Sequence, residues 1–301
     1  MPLGTASTDG YDVRVEAGEA AAGAWRHTGL GVLTLVAGEP VTLSATHVET
    51  MVVPLSGSLT VRTDDWSHDL AGRADVWTGP TDVAYLPPSD SVTLTSVAGA
   101  RVALCRAPLG DAASAQPAYV PSSAVPVELR GAGIASREVR NFGVPGVLEA
   151  GRLIACEVIT PAGNWSSWPP HKHDEDRPGE EAELEEIYYF ETRSIDERGE
   201  DPVGYQRVYG SAERPIDVLA EVRSGDVVLV PHGWHGPAMA APDADLYYLN
   251  VMAGPGPERA WLICDDPAHA WVRQTWDDQP VDPRLPMTPH IVPAAAPGDH
   301  S

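Results

Sequence analysis

Two histidines separated by one residue, His171 and His173, lie in the densest polar segment of the chain, WPPHKHDEDRPGEEAELEEIYYFE at 168–191. Residues i and i+2 of a β-strand point to the same face, so both imidazoles could bind one divalent metal ion. Pro169 and Pro170, directly upstream, restrict the backbone that leads into the pair. An isolated HxH is more often part of a solvated charged loop, so a metal site requires further ligands elsewhere.

Two further segments supply such groups. Glu186 opens the apolar run Ile187–Phe190, and a carboxylate at the start of a buried strand is costly unless it is paired or binds a metal. The segment GDVVLVPHGWH at 225–235 is typical of a strand that ends in a Pro/Gly turn and presents His235. Because side chains alternate along a strand, only one of Glu185 and Glu186 can face the metal.

Short β-type segments must position these residues. Examples are GVLTLV at 31–36, SLTVRT at 58–63, DVVLVP at 226–231 and DLYYLNVMA at 245–253, whereas long helical periodicity is nearly absent. Short strands separated by turn residues predict an all-β sandwich or barrel. The 28 Gly and 29 Pro residues suit the many turns of such a fold.

The chain also divides into two similar halves. The segment 107–128 is rich in Ala, Pro and Ser and is predicted to be a linker. A weak internal repeat matches 82–87 with 226–231, and its extension places Ser91 opposite His235. We therefore predict an N-terminal β domain at 1–125, a C-terminal metal-binding β domain at 126–290 and a loose tail at 291–301.

Composition excludes several classes of protein. The formal net charge is -23 and no basic run is present, which argues against a nucleic-acid partner. No apolar stretch of ~18 residues predicts a transmembrane helix, and no secretory signal is visible. Three widely spaced cysteines without a CxxC pattern indicate reduced thiols in a cytoplasmic protein. Lys172, the single lysine, should point away from the two histidines that flank it.

The order of these motifs resembles the two cupin motifs, HxH with a following Glu and then G(x5)PxG with a following His. The segments GNWSSWPPHKHDED, LEEIYYF, GDVVLVPHGWHGP and DLYYLNVMAGPGPERAW resemble the signature segments of the bacterial 5-deoxy-glucuronate isomerases of inositol catabolism. That family is a bicupin related to the uronate ketol-isomerases of pectin breakdown. The clear resemblance covers 163–276, and the first half fits more loosely.

The resemblance implies two β-barrel or jelly-roll domains in tandem, the first of them free of metal. It implies one divalent metal per chain, either Zn, Mn, Fe, Ni or Co, bound by His171, His173, Glu186 and His235. The family gap between HxH and Glu is about four residues but is twelve here, so 174–185 must bulge out. Counting back from the strand in the cupin pattern selects Glu186 over Glu185. His232 is the alternative to His235, because the second motif is one residue shorter than usual.

The implied reaction is the aldose–ketose isomerisation of 5-deoxy-D-glucuronate to 2-deoxy-5-keto-D-gluconate. A metal could chelate the carbonyl and the adjacent hydroxyl, and a base must remove and return a proton. Tyr188 shares the face of Glu186 on a regular strand, and Tyr248 shares a face with Asn250, which leaves Tyr247 on the other. The predicted catalytic candidates are Glu185, Tyr188 and Tyr248, with Glu186 (if it is not a ligand), His232 and Tyr247 also open.

The carboxylate of a sugar acid requires a cation, and an arginine can bind it with two parallel hydrogen bonds. Arg259 and Arg207 are the first candidates, with Arg140 and Arg152 as others, and Trp168 and Asn250 are candidates for contact with the sugar. A different cupin enzyme such as an iron dioxygenase, and a non-catalytic sugar-binding bicupin, are the alternatives. A homo-oligomer is expected because cupin domains often pair through sheet edges.

Overall fold

The computed structural model describes residues 10–17, 25–196 and 199–288, so the predicted tail at 291–301 lies outside the described residues. The regular structure of these residues is almost entirely β-strand, with three short 3₁₀ helices at Ser122–Ala124, Gly133–Ala135 and Ala270–Asp278. No helix within them is long and apolar enough to cross a lipid bilayer.

The first half forms one folded nine-stranded sheet. Hydrogen-bonded neighbours in this sheet follow the order β1-β2-β8-β4-β6-β9. In addition, β5 and β7 pair with β4, and β3 pairs with β7. β4 pairs with β8 along its first part and with β5 along its second, so it links the two layers that enclose the apolar core. The strands are β1 Tyr11–Val15, β2 Gly29–Leu35, β3 Val41–Ala45, β4 Val48–Arg62, β5 Ser67–Arg73, β6 Val83–Leu86, β7 Ser89–Thr95, β8 Ala100–Pro108 and β9 Ala118–Val120.

The second half forms two six-stranded sheets, ordered β10-β11-β12-β20-β15-β18 and β17-β16-β19-β14-β21, with β13 attached to β19. The two sheets enclose a second apolar core. The strands are β10 Val127–Arg130, β11 Arg137–Gly143, β12 Ile154–Thr160, β13 Trp165–Ser166, β14 His171–Lys172, β15 Glu185–Ser194, β16 Gly204–Tyr209, β17 Asp217–Val222, β18 Val227–Val230, β19 Trp234–Ala240, β20 Ala244–Ala253 and β21 Cys264–Asp265.

The segment predicted as a linker is more ordered than its composition suggested. β8 extends to Pro108, and β9 adds to the edge of the first sheet by pairing with β6. The Ala- and Pro-rich composition hid β9 because a three-residue strand carries too little apolar periodicity to be read from sequence.

The central strands of the second half are buried on both faces. In β20, Tyr247 and Leu249 pack into a core shared with strands of the first half, whereas Tyr248 and Met252 face the core between the second-half sheets. Strand alternation thus separates neighbouring tyrosines into two environments. The face that carries Tyr248 is the one that can take part in a site inside the second half.

A buried ionic network joins the two halves. Arg73 of β5 forms an ion pair with Glu157 of β12, and both side chains are almost fully buried. Arg140 lies 3.7 Å from Glu157 and donates a 2.8 Å hydrogen bond to Glu138. Tyr247 donates its hydroxyl proton to Glu157 at 2.7 Å. Every charge in this network therefore has an opposite charge beside it, which buried ions require.

Candidate metal centre

Three histidines converge inside the second half. His171 in β14 is paired directly with His235 in β19, and His173 follows β14 by one residue. One ligand atom from each lies within 4.8 Å of the others, and all three side chains are buried. This spacing allows the three imidazoles to bind a single metal ion.

Backbone carbonyls fix the orientation of two of these rings. His173 Nδ1 lies 3.2 Å from Leu184 O, and His235 Nδ1 lies 3.1 Å from Gly233 O. Each Nδ1–H donates to its carbonyl, so the Nε2 atom of each ring faces the cluster. Metal-binding histidines usually have their other ring nitrogen held in this way.

Glu186 adds a carboxylate to the cluster. Its Oε2 lies 3.1 Å from His173 Nε2 and 3.0 Å from His235 Nε2, and its side chain is 2% exposed. Burial alone would raise the pKa of Glu186, but His235 and His173 outweigh it and lower the pKa to about 2. The second contact lacks hydrogen-bond geometry, and His235 Nε2 has no hydrogen-bond partner among the described residues. An orphaned nitrogen beside a buried carboxylate is the donor set that a divalent metal requires.

Burial and neighbouring charge keep the third histidine neutral. Desolvation, followed by the nearby His235 and His173, lowers the pKa of His171 well below its usual range. A neutral imidazole is the form that binds a metal. His232, the alternative ligand, is not a member of the three-histidine group.

The acidic insertion folds back on itself and brings Glu186 to the histidines. Lys172 Nζ lies 2.6 Å from Asp174 and 2.8 Å from Glu181, on the side away from the cluster. Leu184 N donates to His173 O at 2.8 Å, which closes the loop. The twelve-residue gap therefore forms a closed acidic loop, and Lys172 points outward as the alternation of a strand requires.

A cavity of about 200 Å³ opens beside the cluster. His171 and Glu186 line it together with Tyr188, Tyr248 and Asn250, so the structure brings these sequence-predicted residues together. The reason is register, because Tyr188 of β15 is paired with Asn250 of the neighbouring β20. The side-chain amide nitrogen of Asn250 is buried and has no hydrogen-bond partner within the described residues.

Ser167 gives the cavity a third hydroxyl group, beside those of Tyr188 and Tyr248. Its side chain lies 3.2 Å from the Tyr248 hydroxyl, and its backbone is left-handed with φ 50°. A non-glycine residue in this region is uncommon, and such strain is concentrated at functional sites. Burial raises the pKa of Tyr188 and of Tyr248, so both phenols carry their protons at neutral pH.

Three further lining residues are arginines that the sequence did not single out. Arg130, Arg137 and Arg273 line the cavity. The first two sit directly opposite each other across β10 and β11. Arg130 ends the strand segment VELR and Arg137 begins the segment REVR, but an arginine on a strand is usually a surface residue. No signal short of the three-dimensional pairing distinguishes them.

The structure places the other predicted site residues elsewhere. Arg259 donates to three backbone carbonyls, and Arg207 donates to Val208 O and Val218 O and pairs with Asp217. The alternative arginines, Arg140 and Arg152, are likewise engaged by backbone carbonyls and by carboxylates. These arginines join segments of the chain and do not line the cavity, so the cavity gives no support to the predicted substrate contacts of Arg259 and Arg207.

Trp168 and Glu185 also lie outside the cavity. Trp168 packs edge-on against Trp165, with ring centroids 5.5 Å apart, and 4.9 Å from the ring of His269. Glu185 points away from Glu186 and accepts hydrogen bonds from Arg26 N at 2.8 Å and His27 N at 2.6 Å. Its carboxylate is therefore occupied by the backbone of the first half, which is a structural role and not that of a base.

Replacing Glu185 by alanine should lower the stability of the protein, whereas replacing Glu186 should lower its metal content. Glu185→Ala is expected to lower the free energy of unfolding by roughly 1–3 kcal/mol, because two backbone amides lose their acceptor. Metal content and turnover should stay near the parent values. Glu186→Ala should instead lower the metal content. Elemental analysis and denaturant unfolding of the two variants check this, and loss of metal from the Glu185 variant alone would contradict the assignment.

The sequence is similar to those of known proteins. Residues 3–272 match the model of the KduI/IolB family. A 5-deoxy-glucuronate isomerase of Geobacillus kaustophilus is 38% identical over 256 residues, which are 83% of this chain and 87% of the relative. The protein of the same name from Bacillus subtilis strain 168 is 37% identical over 244 residues, which are 80% of this chain and 86% of the relative.

Two solved structures are also similar to this chain. An IolB-like protein from Salmonella typhimurium LT2 superposes with a TM-score of 0.78 at 33% identity, covering 88% of this chain and 96% of that chain. An oxalate decarboxylase of Lactobacillus farciminis reaches a TM-score of 0.58 at 12% identity, covering 80% of each chain, and shares the fold alone. The predicted all-β bicupin fold is confirmed. The chain belongs to the KduI/IolB family.

Proposed function

We propose that this protein is a metal-dependent aldose–ketose isomerase that converts 5-deoxy-D-glucuronate into 2-deoxy-5-keto-D-gluconate in inositol catabolism. The observation that carries the proposal is the buried three-histidine group that opens into a small polar cavity. The printed names of the relatives, 5-deoxy-glucuronate isomerase, supply the substrate. No finding favours the iron dioxygenase or the non-catalytic sugar-binding protein over this activity.

The proposed cofactor is one divalent metal per chain, either Zn, Mn, Fe, Ni or Co. His171, His173, His235 and Glu186 would hold it, since their ligand atoms already converge. When bound, the metal polarises the carbonyl and the neighbouring hydroxyl of the sugar as a Lewis acid. The mixed nitrogen and oxygen donors suit several first-row metals.

The side chains of the cavity would orient the sugar and hold protons. The reaction moves one hydrogen from C2 to the aldehyde carbon C1 and one proton from the C2 oxygen to the C1 oxygen, with no net gain or loss of electrons. Tyr188 and Tyr248 are protonated phenols that can donate to these oxygens. Ser167, next to Tyr248, can pass a proton on, and Asn250 has an amide donor to offer a hydroxyl.

We also propose that the chain is divided into two domains with different roles. The N-terminal domain at 1–125 carries no metal, and the C-terminal domain at 126–290 holds the site. Supporting this division, β1 to β9 pair only with one another, and β10 to β21 do likewise. We further propose a homo-oligomer, and a cytoplasmic location to which the free thiols Cys105, Cys156 and Cys264 are suited.

Conversion of the substrate tests this function. Metal-loaded protein incubated with 5-deoxy-D-glucuronate should produce a ketone signal in ¹³C NMR and consume no oxygen. Oxygen uptake would instead indicate a dioxygenase. Binding of the sugar acid without any conversion, at full metal occupancy with each of several metals, would indicate a binding protein and overturn the proposal.

A further inference from the structure

Like charges face each other in the wall of the cavity. Arg130 and Arg137 are directly cross-strand neighbours, an arrangement that destabilises a β-ladder. Arg273, from the last 3₁₀ helix, adds a third guanidinium, and Arg137 and Arg273 both lie against the ring of Trp276. Three cations gathered at one cavity require negative charge to offset them.

Two of the three arginines have carboxylate partners. Arg130 forms two hydrogen bonds to Glu128, at 2.8 and 2.7 Å, and Arg273 forms two to Asp265. Both are thereby neutralised and held in place.

Arg137 has no such partner. Among the hydrogen bonds of the described residues it donates only to Ala135 O at 3.1 Å, although the residue is 5% exposed. Desolvation and the neighbouring Arg130 lower its pKa to about 9. A buried guanidinium without a carboxylate costs stability, which an anionic ligand would offset.

We propose that Arg137 binds the carboxylate of the sugar acid and so sets the specificity of the site for uronates over neutral sugars. This inference rests on the proposed function. Two unpartnered donors share the cavity with Arg137, the Asn250 side-chain amide and Trp261 Nε1, and both suit sugar hydroxyls. Arg137 lines the same cavity as His171 and Glu186, so a sugar acid bound there would place its carboxylate at Arg137 and its aldehyde end toward the metal ligands.

Local charge supports the same orientation. A bound divalent metal would offset Glu186, the Arg130–Glu128 and Arg273–Asp265 pairs are neutral, and Arg137 leaves one positive charge. A monocarboxylate neutralises that charge and leaves the metal region to stabilise negative charge that develops on the reacting oxygens. A neutral sugar leaves Arg137 buried and unpaired, and it therefore binds less well.

The test compares two sugars on two proteins. The neutral probe is 5-deoxy-D-glucose, in which a hydroxymethyl group replaces the carboxylate. Arg137→Met should lower kcat/KM for 5-deoxy-D-glucuronate by roughly 30- to 3,000-fold, the usual effect of breaking a buried charge pair. The same variant should leave kcat/KM for 5-deoxy-D-glucose nearly unchanged, and Arg137→Lys should restore part of the loss. Arg223→Met, a change at an exposed arginine paired with Asp201, is the control and should match the parent.

Stability separates this role from a structural one. Arg137→Met removes an unpaired buried cation that faces Arg130, so the thermal midpoint should rise or stay unchanged. Equal losses of kcat/KM on both sugars, or a lowered midpoint with reduced metal content, would overturn the assignment.

Equilibrium binding keeps the two proposals distinct. Calorimetric titration with 2-deoxy-5-keto-D-gluconate needs no turnover, and the affinity should fall in the Arg137→Met variant by a factor similar to that for kcat/KM. If the parent converts neither sugar but still binds this acid through Arg137, the isomerase proposal fails and the carboxylate site stands. If parent and variant bind the acid equally, the carboxylate site fails whatever the activity.

Discussion

Replacing His173 by alanine is expected to remove both the bound metal and the isomerase activity. His173 contributes one of the three converging imidazoles, and its contact of 3.1 Å with Glu186 holds the carboxylate in the cluster. The fall in kcat/KM should exceed the roughly 10- to 100-fold loss that follows removal of an outer-shell partner. Elemental analysis of protein purified without chelators, together with the activity of the same sample, measures both effects.

His232→Ala is the matched control for this change. His232 lies in the same motif, three residues before His235, but it does not belong to the three-histidine group. The control variant should keep one metal per chain and turnover close to that of the parent. If His232→Ala lost its metal and His173→Ala kept it, His232 and not His173 would be a ligand. That result would contradict the assignment.

Replacing Glu157 by alanine is expected to give the largest loss of stability. Arg73 would then be buried without a counter-charge, Arg140 would keep only Glu138, and the Tyr247 hydroxyl would lose its acceptor. Breaking a buried pair in this way costs about 3–5 kcal/mol. Denaturant unfolding at neutral pH checks the change in free energy. Glu221→Ala, which breaks the exposed pair with Arg223, is the control and should have no measurable effect.

This loss should depend on pH in a defined direction. Burial would raise the pKa of Glu157, but Arg73 and Arg140 outweigh it and lower the pKa. A carboxylate with a lowered folded-state pKa stabilises the fold above its unfolded-state pKa of ~4.3 and loses that contribution in more acidic solution. The difference between parent and Glu157→Ala should therefore shrink below about pH 4. A difference that stays constant from pH 7 to pH 3 would contradict the ionic origin of the effect.

The sequence alone was sufficient to predict the positions of residues that depend on local rules. His171 and His173 lie in the HxH motif, and His235 ends the strand and turn that the Pro and Gly residues mark. Strand alternation then correctly separated Tyr188 and Tyr248, which line the cavity, from Tyr247, which packs toward the first half. Alternation also placed Lys172 outside the cluster.

Residues whose role depends on distant segments could not be predicted in this way. Arg259 follows β20 and Arg207 lies in β16, but their guanidinium groups donate to backbone carbonyls that only the folded chain presents. Arg137 faces the cavity because β10 and β11 pair in one register, which no local pattern specifies. Glu185 has a role only because residues 26 and 27 of the other half approach it.

The most direct test is a titration of metal-free protein with divalent metal while the conversion of 5-deoxy-D-glucuronate is followed by ¹³C NMR. We expect no conversion without metal, a rate of conversion that rises in proportion to added metal, and a plateau at one metal per chain. Full activity in the metal-free protein, or no activity at full occupancy with any of Zn, Mn, Fe, Ni and Co, would contradict it.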